Sequence, residues 1–404
     1  MAHELNRTLS LPLLVFYGVG TILGAGIYVL VGKVAAYSGM YAVMSFLLAS
    51  ILAGFSAFSY AELSVRYPKS AGEAVYIEQG FHRQHLSTIV GLLIVLMGSV
   101  STATLMHGFV GYLHVFVDWP STLVIIGLVA LMLSIVIWGI GQSVFIAAVM
   151  TIAEVIGLLI ILWVAGDSFT TLPDRLPELV PSLDAMAWSG ILLGAFIAFY
   201  AYIGFEDIVN VAEEVKTPEK NLPRAIIIAL VVTTLFYILI ATVSILTIQP
   251  SRLAESDAPL AMLYQASTGQ SPTVITVISL ASVLNGALIQ IIMASRVLYG
   301  MGRQGWLPAH LGKVHGVTRT PVLASLTVGF IILTFSLILP LLSLAKLTSF
   351  ITLSIFALIN LALWRIKHRD SKTASFTVPL WVPICGFFSS SAFLLFQIIH
   401  FMRN

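Results

Sequence analysis

Polar residues are so sparse along this chain that its hydrophobic pattern breaks into long apolar runs, each near the roughly 20 residues that one helical crossing of a bilayer needs. Eleven are predicted as helices, at about 11 to 37, 40 to 65, 88 to 116, 121 to 141, 143 to 166, 187 to 212, 224 to 248, 272 to 301, 321 to 343, 345 to 366 and 378 to 402. Runs four and five are divided only by residues 139 to 142, and runs nine and ten only near Pro340, so merging either pair would give ten. Composition agrees with the pattern: 58% of the 404 residues are hydrophobic and 9% charged. A soluble domain of this length could not hide that much apolar surface, so the expected class is an all-α polytopic membrane protein. The first ten residues are short and polar with no cleavage site after the apolar run, which predicts a retained first helix rather than a signal peptide.

The charges orient the helices, because cytoplasmic loops carry the excess of Lys and Arg. With the N-terminus inside, the inner face holds Arg7, Arg66, Lys69, Arg83, Lys216, Lys220, Arg224, Arg303, Lys313, Arg319, Arg365, Lys367, Arg369 and Lys372. The outer face holds only Lys33, Arg175, Arg252, Lys346 and Arg403, with Arg296 inside run eight. Dropping one helix would scramble this bias. The reading is therefore a cytoplasmic-membrane protein with its N-terminus in the cytoplasm.

Two runs carry features that an uninterrupted helix in hydrocarbon does not need. In run one, Gly18, Gly20, Gly24 and Gly26 crowd the midpoint around Gly20-Thr21-Ile22-Leu23-Gly24-Ala25-Gly26-Ile27-Tyr28. Unpaired backbone groups cost several kcal/mol in hydrocarbon, so a break would have to be buried in protein or line a water-filled cavity, as a binding site does. The half-helix beyond it would aim a partly positive N-terminus at an anion such as a carboxylate. Close helix packing through small residues accounts for the same glycines. In run six, Phe199-Tyr200-Ala201-Tyr202-Ile203-Gly204-Phe205 leads into Glu206, Asp207 and Asn210. The two interruptions lie five helices apart, at corresponding places in residues 11–166 and 187–366. Paired broken helices in matching positions point to inverted repeats with a site at the midplane. Residues 378–402 would be one extra C-terminal helix.

At this point the chain resembles the amino acid/polyamine/organocation permease superfamily, especially its cationic amino acid transporter-like members. The resemblance is carried by GTILGAGIY, SYAELSVRYPKSAGEAVYI at 59 to 77, AFIAFYAYIGFEDIVNVAEEVKTPEKNLPRAI at 195 to 226 and SRVLYGMGRQGWLP at 295 to 308. It implies a LeuT-like fold of five plus five helices in inverted repeat, with helices one and six broken. Helices one, two, six and seven would then rock against a scaffold of three, four, eight and nine. It also implies that Ile22, Gly24, Ala25 and Gly26 offer backbone N–H groups to a substrate carboxylate, that carbonyls of Tyr200, Ala201 and Ile203 take its ammonium, and that Phe205 is a gate or pocket wall. Core packing of the aromatics is the competing reading.

Glu154 lies halfway along run five with no cation in that helix. A central acid costs about 2.5 to 3.5 kcal/mol on insertion scales, so it is expected to face the bundle interior. There it could bind and release a proton, face a cation, or sit protonated against a neighbouring helix. Some proton-coupled relatives carry a Lys at the similar place, and this chain departs from them. Sodium is the less favoured coupling ion, because run eight offers only the separated Ser282 and Ser295. Glu206 is a candidate for cation recognition or gating, against a simple interfacial role. Arg296 is expected to snorkel or to pair with a carboxylate such as Glu62, and His107 to be structural.

Nothing in the chain predicts bond-making chemistry, a cofactor, a metal centre or nucleic-acid binding. The lone Cys385 precludes an intrachain disulfide, and His82 and His85 lack further metal ligands nearby. The expected function is secondary active transport of an amino acid by alternating access, by proton coupling or exchange. The alternatives are a polyamine or other organic amine as substrate, or, from other classes, a channel or a membrane enzyme. Oligomeric state is not readable from the chain.

Overall fold

The computed structural model describes residues 9–403 except 70–71, 139–140, 316–317, 319 and 371–373. Arg7, Arg319 and Lys372 of the charge pattern lie outside the described residues. The helices of the first part are α1 (Leu11–Ser38), α2 (Ala42–Arg66), α3 (Gly72–Phe81), α4 (Gln84–Leu113), α5 (Ser121–Trp138), α6 (Gly141–Val164) and the short α7 (Leu172–Leu179). After them come α8 (Ala185–Phe199), α9 (Pro218–Thr247), α10 (Pro250–Glu255), α11 (Pro259–Thr268), α12 (Thr273–Arg303), α13 (Val322–Ile338), α14 (Leu341–Arg369) and α15 (Trp381–Arg403). Two short 3-10 stretches, Tyr200–Tyr202 and Phe205–Glu214, continue α8.

Eight helical stretches among the described residues are long and apolar enough to cross a membrane, one of which, Leu11–Arg66, includes both α1 and α2. Two shorter apolar helices cover Ser121–Ile137 and Val322–Ile338. The eleven expected crossings each find a counterpart in this set. The junctions follow local chemistry. Gly39 ends α1 at φ 56°, with its N–H on the Ala35 carbonyl. Asp184 caps α8 by accepting the Ala187 N–H at 3.3 Å. Extended Leu339 and Pro340 separate α13 from α14, as a proline that cannot continue the preceding helix requires. At the start of the described chain, Leu9 bridges Val215 and accepts the Lys216 N–H at 2.9 Å, tying the N-terminal segment beside the 205–214 stretch.

Helix packing falls into two groups. α1 and α2 pack on each other and each on α8 and α9, while α4 packs on α5, α12, α13 and α14, and α13 also on α5 and α12. α6 meets both, through α1 and α12. Large apolar side chains such as Leu123, Trp163, Phe330 and Phe388 face outward. In a bilayer that outward surface is the one that meets lipid.

One expectation is corrected. α1 is a continuous helix from Leu11 to Ser38, with no break at Gly20–Gly26. Its glycines are spent on approach instead. A Cβ at Gly18 would strike Ile208, one at Gly20 Thr151, and one at Gly26 the backbone of Ala201, while Gly24 faces the Cα of Gly286. Each notch admits a different neighbour, which is the packing use of small residues in membranes.

Candidate functional site

The interruption after α8 is built around Gly204. The helix tightens to 3-10 over Tyr200–Tyr202, Ile203 is extended, and Gly204 adopts φ 132°. A side chain disfavours that conformation, and a Cβ there would lie 3.1 Å from the Ile22 amide nitrogen, so glycine is required twice over. The break therefore lies directly on α1. Tyr237 of α9 locks the contact, its hydroxyl donating between the carbonyls of Ile22 at 2.5 Å and Ala201 at 2.7 Å. The Tyr200 carbonyl accepts the Ile203 N–H at 3.2 Å, and the Tyr200 hydroxyl donates to the Ser101 carbonyl of α4 at 3.1 Å.

Thus Ile22 and Gly26 of α1 meet Gly204 and Ala201 where α1 crosses the break, whereas Gly24 faces Gly286 and Ser282 of α12 and the Tyr200 hydroxyl turns to α4. Ala25 lies in the same turn of α1, its side chain outside the described ones. Because α1 is unbroken, the amides of Ile22, Gly24, Ala25 and Gly26 lie within a helix and not at a half-helix N-terminus, which corrects the expected presentation. Phe205 points elsewhere, into an aromatic cluster with Tyr60 (ring centroids 5.7 Å apart) and Phe356 (5.2 Å).

A second polar centre joins α1, α6 and α12. Glu154 is fully buried, and Asn285 donates to its Oε1 at 3.0 Å. Its backbone carbonyl accepts the Tyr28 hydroxyl at 2.6 Å. Beside it, Ser282 donates to the Gly24 carbonyl at 2.9 Å, so the acid is one side chain away from α1. Glu206 starts the 205–214 stretch and accepts the Gly204 N–H at 2.8 Å, and Asp207 accepts from the Gln290 amide of α12 at 3.0 Å. On α2, Glu62 is engaged by Arg66 at 2.7 Å and by Lys367 of α14 at 2.7 Å. The imidazole of His107 sits 2.9 Å from the Ser336 carbonyl, a helix-to-helix contact.

Tyr237, Asn285 and Glu73 escaped the sequence reading. Tyr237 stands in an uninterrupted apolar run, where nothing marks its hydroxyl. Asn285 offered a usable signal, since a side-chain amide in the middle of run eight, like Gln290 five residues on, has to find a polar partner. Glu73 was visible within SAGEAVYI, in a loop helix that the apolar runs did not reveal.

Comparison with known proteins adds the family. The chain is 30% identical over 395 residues to the vacuolar cationic amino acid transporter 2 of Arabidopsis thaliana, covering 91% of this chain and 60% of that protein. It is 29% identical over 391 residues to the branched-chain amino acid permease BcaP of Bacillus subtilis, covering 91% and 82%. It is 28% identical over 424 residues to a methylthioribose transporter of the same bacterium, covering 98% and 89%. The chain spans less than two thirds of the length of the plant relatives. These relatives are carriers, not enzymes. The amino acid permease family pattern extends over residues 9–403, so the chain belongs to that family, an integral membrane branch of the superfamily that its motifs resemble.

Proposed function

We propose that the chain carries an amino acid across the cytoplasmic membrane by alternating access, with its N-terminus inside and residues 11–166 and 187–366 as inverted five-helix repeats. The observation that carries this reading is the break at Tyr200–Gly204 held on α1 by Tyr237. In this reading α1, α2, α8 and α9 rock as a unit against α4, α5, α12 and α13. Substrate carboxylate binds at Ile22, Gly24, Ala25 and Gly26 when α1 opens at its glycines, and the ammonium at the carbonyls of Tyr200, Ala201 and Ile203, with Phe205 as a wall. Such opening frees carbonyls that need other donors. Hydroxyls already stand on those of Ile22, Gly24 and Tyr28, from Tyr237, Ser282 and Tyr112. Each carbonyl of the break also retains a second lone pair for an ammonium.

Relatives named for cationic and for branched-chain amino acids fit a site that reads the groups common to all amino acids. Glu154 is the candidate proton carrier, Glu206 a gating residue, and sodium the less favoured ion. The methylthioribose relative supports a second reading, in which the substrate is not an amino acid.

The test is uptake of a radiolabelled amino acid mixture into proteoliposomes under an imposed proton gradient, a sodium gradient or neither, for wild type and Glu154→Gln. Proton-driven uptake lost in the variant supports both the carrier and the coupling role. Uptake indifferent to the variant returns Glu154 to structure. No movement of any amino acid, by gradient or exchange, turns the search to organic amines and methylthioribose-like substrates.

A further inference from the structure

Half of the buried side-chain atoms that lack a hydrogen-bond partner among the described residues lie together where α3 meets the 205–214 segment. The acceptors are Glu73 Oε2, Glu206 Oε1, Asp207 Oδ1, Asn210 Oδ1 and Gln290 Oε1, and the hydroxyls of Tyr60 and Tyr76 and the amide nitrogen of Asn210 are the donors. The three carboxylates are each 1% exposed. Tyr60, fully buried on α2, lies within electrostatic reach of all three. Burial without partners is what native structures avoid, so an unpaired set of this size implies a missing donor.

The charges around the cluster sharpen the question. The charge acting on Glu73 is that of Glu206, and those acting on Asp207 are Glu206 and Glu73. From α12 the facing group is the neutral amide of Gln290, from α2 Tyr60, and from α3 Tyr76. The nearby cations are committed elsewhere. Arg66 of α2 and Lys367 of α14 bind Glu62, and Arg369 of α14 donates to the Gly80 carbonyl at the far end of α3 at 3.0 Å. Three buried like charges with no counter-ion shown on them among the described residues are not a stable arrangement. Every proton bound converts one orphan acceptor into a donor for a neighbouring one, and so relieves both the charge and the hydrogen-bond deficit. Glu206 already has a donor in the Gly204 N–H and sits in the first turn of its 3-10 helix, where negative charge is favoured. No set of three or more His, Cys, Asp or Glu among the described residues is placed to hold a metal ion.

We infer that Glu73 and Asp207, with Glu206, form a proton-binding centre separate from Glu154, occupied while α3 is docked on the 205–214 segment and emptied when the two part. The position gives such a centre mechanical meaning. α3 packs on α4 and α14, whereas the 205–214 segment packs on α1, α2 and α9, so the cluster straddles the two helix groups. Contact is direct, since a Cβ on Gly72 would stand 2.8 Å from Val209. Deprotonation would leave like charges facing one another across this seam and push it open.

The experiment reads structure, so it succeeds or fails independently of the transport proposal. Hydrogen–deuterium exchange of the protein in nanodiscs is compared at about pH 6 and about pH 9, corrected for intrinsic rates, in peptides covering 72–81 and 205–214. Both peptides of the wild type should lose protection at the higher pH, Glu73→Gln should lose most of that response, and Glu154→Gln should keep it. Infrared difference spectra of the wild type between the same two pH values should show loss of a protonated-carboxyl band, which is smaller in Glu73→Gln. If Glu73→Gln fails to fold, the same spectra of Glu154→Gln decide the matter, since the band loss should persist there and its absence would assign the band to Glu154 and overturn the inference. A wild type with no change in either peptide and no band lost would overturn the inference. Protection restored at high pH by sodium alone would also overturn it, making the centre a metal-cation site.

Discussion

The side-chain amide of Asn285 on α12 donates to Oε1 of Glu154 on α6 at 3.0 Å, while Oε2 of the same carboxyl has no partner among the described residues. A mid-membrane acid is thus held by an amide and not by a cation. Asn285→Leu removes the donor and should cost about 1 to 3 kcal/mol, read as a lower melting temperature in detergent. Glu154→Gln preserves shape and hydrogen-bonding capacity and should melt within about 1 kcal/mol of wild type. Equal melting of all three proteins would show that the Asn285 contact carries no stability.

Gly26→Ala tests the close approach of α1 to the break. The added methyl meets the Cα of Ala201, which cannot swing aside as a long side chain can. A loss of about 1 to 3 kcal/mol is expected, together with loss of uptake. Gly127→Ala, on α5 with open space around its Cβ, serves as the control and should be tolerated.

Tyr237→Phe deletes the one hydroxyl shared by the Ile22 and Ala201 carbonyls. Two buried acceptors then lose a donor, at a cost of about 1 to 3 kcal/mol. Cysteines introduced near the break, in a Cys385→Ser background, should label faster in Tyr237→Phe than in the parent. Unchanged labelling would mean that helix packing alone holds the break on α1.

Stability should fall with rising pH through Glu73. Burial pushes its carboxyl up from 4.5 to about 8, with a backbone N–H opposing, the Glu206 charge adding, and the nearby Asn210 amide, outside hydrogen-bond geometry, opposing weakly. The folded protein holds this proton more tightly than the unfolded chain does. Its contribution is therefore complete below the ordinary value and declines as pH climbs through about 8. Melting temperatures across that range should slope downward in wild type and more gently in Glu73→Gln.

Glu62→Ala leaves Arg66 and Lys367 without their buried carboxylate, and the Val378 N–H, now 2.8 Å from Glu62 Oε2, without its acceptor. A cost of about 3 to 5 kcal/mol is expected. Since Lys367 and Val378 flank the link from α14 to α15, limited proteolysis should cut that link sooner in the variant than in wild type.

Two things about the break were legible in different degrees. At run six, aromatics, a glycine and two acids at membrane depth marked an interruption, and Gly204 with φ 132° is its hinge. At run one the same glycine signal pointed to a break and proved to be four packing notches. A glycine has no Cβ in either case, and the sequence does not say whether the space is taken by a ligand or by Ile208, Thr151, Gly286 and Ala201.

The order and approximate placement of the apolar helices, the membrane class and the family were contained in the chain, because crossing hydrocarbon imposes a length and a composition that few residues can hide. Partnerships were not. That Asn285 reaches Glu154 across 131 positions, that Tyr237 spans 215 to Ile22, and that Glu73 joins Glu206 and Asp207 depend on which helix faces cross in space. Hydropathy is a sum over single residues, whereas a buried polar contact is a property of a pair, and only the tertiary fold brings the pair together.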